Sequence, residues 1–368
     1  MIRALMFAAL LIVVASPAGA EYDAAAYRRL NERLVASHVV PRYARFAEAA
    51  AMLDGEAGKA CGAVSPAAVA GLRAAALAAQ DAWQAVQHIR FGPIEQEMRS
   101  TRLAFWPDIR NRTGRELEAL LKARDAAVLA PDAFARANVV VQGFPALERL
   151  LFDADAERLL TAGGAEARYR CALVQATAGN IAAIAAAVHK EWVEGADSYT
   201  AAVAKAGGEF ARYRTPQEAT LDLFKSLHAA VELVADHKLA RPLGESLAAA
   251  RPKLGESWRS GRSLDNIRRN LEAAQAMYLG EDGDGMSEFV REVAKDAALD
   301  DLLRRAFAQT TATARSVAMP LAKAVADPKE RASLETLKTE AAALKAILAQ
   351  RLTAALAIPL GFNALDGD

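Results

Sequence analysis

The 368-residue chain has two cysteines, five histidines and few aromatic residues, and it has no surplus of either charge, since 45 Lys and Arg balance 45 Asp and Glu. Each scarcity excludes something. With balanced charge and no stretch that interleaves Lys and Arg with aromatics, the electrostatic footprint of nucleic-acid binding is missing. Neither cysteine lies in a Cys-x-x-Cys or Cys/His spacing of the kind structural zinc uses. His38, His88, His189, His228 and His237 are scattered, so there is no H-E-x-x-H pair one helical turn apart with a glutamate to activate water. No G-x-S-x-G appears either, which removes the usual serine-hydrolase elbow. Runs of β-branched residues are rare, and strands have almost nowhere to form. Beyond the N-terminus no apolar run is expected to reach the ~20 residues of a membrane span.

What is present starts with an export signal. Arg3 precedes an apolar run from Ala4 to Val14, then Ser16-Pro17-Ala18-Gly19-Ala20, which meets the small-residue rule for cleavage. Residues 1–20 read as a signal peptide and Glu21 as the first mature residue. No cysteine follows the cut, so a lipid anchor has no attachment point, and the expectation is a soluble periplasmic protein that is not an integral membrane protein. In that oxidising compartment Cys61 and Cys171 predict a disulfide, the alternative being two small buried hydrophobes.

The abundance of Ala, Leu, Glu, Arg and Lys is the composition of long helices packed through small residues. Helix starts are legible at Ser65-Pro66, at Thr215-Pro216-Gln217-Glu218 and at Asp327-Pro328-Lys329-Glu330, where a capping oxygen precedes a proline that needs no donor. The pattern predicts helices over 22–53, 66–91, 113–123, 144–152, 157–205, 216–238, 256–279, 286–325 and 328–357, with Pro41 bending or breaking the first. The Gly207-Gly208 interruption sets a domain junction. The expectation is an all-α chain of two packed helical-bundle domains, tandem four-helix-bundle-like, over 21–208 and 209–368.

Three breaks in the first half pair an aromatic with a proline: Arg90-Phe91-Gly92-Pro93, Phe105-Trp106-Pro107-Asp108 and Gln142-Gly143-Phe144-Pro145. Together with Trp83, GFPALERLLFD over 143–153, KLARPLGES over 238–246, ESWRSGRSLDNIRRNL over 256–271 and a closing GFNALDGD, the ordered series resembles the imelysin-like family. The similarity is to its periplasmic members implicated in iron uptake. It implies two helical bundles with a ligand site in the groove between them, a metal ion (iron or another divalent cation) or metal chelate as ligand, and envelope iron-transport components as partners. The family signature G-x-H-x-x-E matches at Gly143 and Glu148, while Pro145 holds the histidine position. Some family members are described as peptidases, so a metal-dependent peptidase is the alternative from another class, and a protein-interaction module that binds no ion is a third.

The candidate site residues carry two readings each. Glu148 is a ligand carboxylate or a structural salt-bridge partner of Arg149. Trp106 and Asp108 shape a groove wall or pack an irregular turn. Arg90 is a groove cation, and the adjacent His88 caps a helix end. Ser257, Ser260 and Ser263, with Arg259 and Arg262, share a predicted helix face that either packs closely or presents donors to an anion. His228, Glu232 and Asp236, four residues apart, form a stripe that is either a metal half-site or a solvated face.

Overall fold

A computed structural model describes residues 23–281 and 283–358, so the expected signal peptide, Asp282 and the closing GFNALDGD lie outside the described residues. All regular structure among the described residues is helical. Helix α1 spans residues 24–62 and is followed by α2 (Pro66–Gln84), α3 (Arg112–Ala123), α4 (Phe144–Phe152) and α5 (Gly164–Val193). The second half is built from α6 (Pro216–Glu232), α7 (Ser263–Leu279), α8 (Ala297–Ser316) and α9 (Pro328–Ile347). The caps form as the sequence predicts: Ser65, Thr215 and Asp327 accept from Ala68, Glu218 and Glu330 backbone N–H groups.

In the first half α1 packs on both α2 and α5; in the second, α6 and α8 flank α7, and α9 closes on α6 and α8. Helix α5 corrects one expectation. It contains an apolar stretch with a mean hydropathy of 1.7, long enough to cross a membrane, yet its Leu173, Val174, Ile181, Val188 and Trp192 are buried inside the bundle. The halves are not separate cores. Helix α1 packs on α6, α2 meets α7, and one apolar cluster runs from Ala26 to Ile358, with a smaller one between Val234 and Ala341. Asn31 ties the seam by donating to Pro216 O at 2.7 Å and accepting from Thr220 at 2.7 Å.

Two features bear on the site. Cys61, near the end of α1, is bonded to Cys171 in α5, 110 residues away, a loop whose closure in the unfolded chain contributes on the order of 4 kcal/mol. Pro41 neither breaks nor ends α1. The hydrogen-bond ladder switches to a π turn over Val35–Val39, which carries His38, and the helix continues through the proline. A second π turn, Leu233–Leu239, extends α6 and carries Lys238.

Other boundaries differ from the pattern. The 66–91 helix stops at Gln84, 157–205 divides into Ala156–Thr161, α5 and Tyr199–Ala204, and α7 starts at Ser263 rather than 256. Likewise, 286–325 divides at the turn around Lys295, whose φ is +58°.

Candidate functional site

Gly143-Phe144-Pro145 sets the origin of α4. Gly143 is its N-cap in extended backbone, and Pro145 falls in the first turn, where a missing N–H costs nothing. Gly143 is structural rather than a ligand contact: a Cβ there would stand 2.2 Å from Leu103 O and 2.3 Å from Arg102 O, so only glycine lets the two backbones approach. Gly143→Ala is expected to destabilise the protein by about 2 kcal/mol through overpacking, read as a lower urea midpoint.

One turn along α4, Glu148 is 9% exposed and its Oε1 accepts from Ser260 N at 2.9 Å and from Ser260 Oγ at 2.8 Å. It does not pair with Arg149, which instead donates to Asn111 Oδ1. Burial pushes the Glu148 carboxyl above its ordinary range and neighbouring Glu256 adds to this, against the pull of the Ser260 donors and Arg259.

The serine face predicted over 256–263 does not exist. Residues 255–262 form turns, Ser257 takes a φ of +57°, and only Ser263 is helical. The segment is held off the helical path because its side chains dock on the first half. Arg259 donates to Asp153 at 2.6 Å, Ser260 to Glu148, and Arg262 to both oxygens of Asp81 at 2.6 and 2.7 Å. Three carboxylates on the first half thus clasp three successive donors from the second.

Behind this loop the seam is polar and buried. Lys238, 1% exposed, places Nζ 2.7 Å from Glu256 Oε2 and 2.6 Å from both Gln84 Oε1 and Asn270 Oδ1. Asn266 donates to Glu256 at 2.9 Å, and Asn270 to Gln84 O at 2.7 Å. Burial lowers the Lys238 pKa and Glu256 raises it.

A cavity of about 240 Å³ opens between the two halves over Glu148 and Glu256. Its walls include Trp83, Phe105, Trp106, Phe144 and Trp258, with Lys253 and Arg259 stacked on Trp258. The Trp106-Pro107 peptide is cis. Asp108 follows, but both its oxygens accept backbone N–H groups, from Arg112 at 2.7 Å and Thr113 at 2.9 Å, so it caps α3. Arg90 lines an adjoining cavity of about 220 Å³ together with Trp83, Trp106 and Glu256.

The α6 stripe does not converge. His228 Nδ1 lies 3.9 Å from Glu232, while Asp236 turns to Lys345. Among the described residues no three His, Cys, Asp or Glu side chains come together as an ion would need. Around Glu148 the donor set does not fit a bare cation: Pro145 offers no donor, Ser260 holds one carboxylate oxygen, and Lys238 sits against Glu256.

Sequence reasoning missed two groups. The Lys238 network joins residues more than 150 positions apart. His38 and His88, fifty positions apart, meet with Nε2 atoms 2.8 Å apart in the core, so His88 caps nothing. A lone buried-type lysine in KLARPLGES was the one available signal for the first; nothing in local spacing could have found the second.

Three comparisons bear on this architecture. An imelysin-like protein from Psychrobacter arcticum is similar in fold at a TM-score of 0.75, with 22% identity, over 94% of this chain and 99% of that one. A protein of Parabacteroides distasonis described as an iron-regulated protein A precursor is similar at a TM-score of 0.75, with 16% identity, over 92% of this chain and 96% of that one. No curated protein matches. The imelysin family model (Peptidase M75) matches residues 39–348, and with most of its length matched this chain belongs to the imelysin family.

Proposed function

We propose that this chain is an exported binding protein of metal acquisition, iron foremost, acting in the periplasm and handing its cargo to envelope transport components. Its ligand site is the cleft over Glu148, and it takes the metal as a chelate. The observation that carries this reading is the clasp: a buried carboxylate from one half bound by a loop of the other, with an aromatic-walled cavity of about 240 Å³ open against it. Such a concave, largely apolar site with a few convergent polar groups is the usual form of a small-ligand pocket. The donor set argues for a ligand that brings its own metal donors. Export is supported by the N-terminal signal pattern, by the disulfide, and by a similar fold in a protein described as a precursor. The domain junction near residue 208 belongs to this reading.

The peptidase alternative needs a carboxylate free to activate water beside a completed ligand set, and Glu148 has one oxygen committed to Ser260. Calorimetric titration with ferric citrate, and separately with ferrous, ferric, zinc and calcium ions, tests the proposal. The chelate is expected to bind one to one and at least tenfold more weakly to Glu148→Ala, with the bare ions binding weakly or not at all. Chelate binding indifferent to Glu148→Ala, or none, would remove the cleft as the cargo site.

A further inference from the structure

The polar groups of the cleft are unequally committed. Every carboxylate lining it already accepts: Asp108 from two backbone N–H groups, Glu148 from the Ser260 amide and hydroxyl, Glu256 from Lys238, Gln84 and Asn266. The donors are not. Among the described residues the Trp83 indole Nε1 has no hydrogen-bond partner although the side chain is only 3% exposed, and the Thr113 hydroxyl, in a residue 1% exposed, has none either. Both residues line the cavity. Lys253 forms no ion pair with the described residues and stacks on Trp258, its ammonium 5.4 Å from the ring centroid. A buried donor without an acceptor is costly, and a ligand that completes it accounts for one placed at a cavity.

The cation that such a seam would otherwise need is supplied by the chain itself. Nζ of Lys238 stands among three oxygens, from Glu256, Gln84 and Asn270, as a small cation would. We infer that the cleft recognises a small, oxygen-rich anion of the polycarboxylate or oxyanion class, met by Trp83, Thr113 and Lys253, and that Lys238 keeps Glu256 from serving a cation. The inference rests on the cleft being the ligand site but not on the ligand carrying metal. An iron chelate is one member of the class, and the metal-free anion is expected to bind by the same contacts.

The test is calorimetric titration of the purified protein with metal-free citrate, oxalate and inorganic phosphate, in the presence of a chelating resin, and with putrescine as a cation of similar size. At least one anion is expected to bind one to one, more weakly as salt is raised, as ion pairing requires. Its affinity should fall at least tenfold in Trp83→Phe, which keeps the ring and removes the N–H, and in Lys253→Gln, an exposed position that leaves the fold intact. Circular dichroism checks that both variants are folded. No heat with any of the three anions overturns the inference, as does anion binding unchanged in both variants. Putrescine binding that Glu148→Gln abolishes would overturn it too, while leaving the cleft as the ligand site.

Discussion

Lys238→Met is expected to destabilise the protein by about 3–5 kcal/mol, the usual cost of removing one partner of a buried ion pair. The substitution keeps the length and apolar stem of the side chain, so the loss is electrostatic. It strands Glu256, which is buried, with only the weaker donors Gln84 and Asn266, and it leaves Gln84 Oε1 and Asn270 Oδ1 without the ammonium they share. The two sides of the network belong to different halves, since Gln84 ends α2 while Lys238, Glu256 and Asn270 lie in the second half. The seam is therefore expected to loosen as a unit, with the urea midpoint falling and the m-value dropping if an intermediate becomes populated. Adding Glu256→Gln to Lys238→Met removes the stranded charge and should recover a large part of the loss. A double variant as unstable as the single one would show that packing of the lysine stem, not the uncompensated carboxylate, carries the effect.

This network shows where the sequence stops being informative. Caps are local chemistry: Ser65, Thr215 and Asp327 bond N–H groups two or three residues away, and the α4 span was legible at both ends because Gly143 and Pro145 open it and Asp153 follows it. The disulfide was legible from compartment and parity. The clasp was not, because the carboxylates that hold residues 255–262 lie far away in the sequence, and Gly261, at a φ of +73°, is the only local sign of a turn among them. Its serines and arginines have helical spacing, but Asp81, Glu148 and Asp153, supplied by two distant elements, bind Arg262, Ser260 and Arg259 in turns. Two of the π turns are similar. Val35–Val39 and Leu233–Leu239 have ordinary helical composition, and each shifts the register at a polar side chain, His38 or Lys238, that finds its partner across the core. Tertiary polar pairing overrode local preference at these places, and the clasp and the Lys238 turn are also where the cleft floor and the seam are built.

The second large effect concerns acid. Stability is expected to fall by about 4 kcal/mol between pH 7.5 and pH 5 through the His38–His88 pair alone, roughly 2 kcal/mol per ring. Both rings are buried and neutral: one Nε2–H donates to the other Nε2 at 2.8 Å, and neither Nδ1 has a partner among the described residues. Burial, with the charge of Arg42 and, for His38, its contact with His88, holds the His38 pKa well below 6.5 and that of His88 at about 3. Arg42 itself lies 3.6 Å from Glu281, which offsets its charge only from the exposed side. The sign follows from proton uptake. Below pH 6.5 the unfolded chain binds two protons that the folded chain refuses, so the stabilisation present above pH 6.5 is lost progressively as pH falls toward 3, at about 1.4 kcal/mol per pH unit per ring. Protonating the accepting Nε2 in the folded state would set two N–H groups against each other at 2.8 Å. Glu148 and Asp222, whose pKa values burial raises, act in the opposite sense, and so the measurement is a difference. Urea unfolding of the wild type and of His38→Gln/His88→Gln, each at pH 7.5, 6.5, 5.5 and 5.0, should give a stability gap that shifts in favour of the double variant by about 4 kcal/mol across the series. A gap constant with pH would mean that the rings are already charged in the folded core, or that acid opens the seam before they titrate.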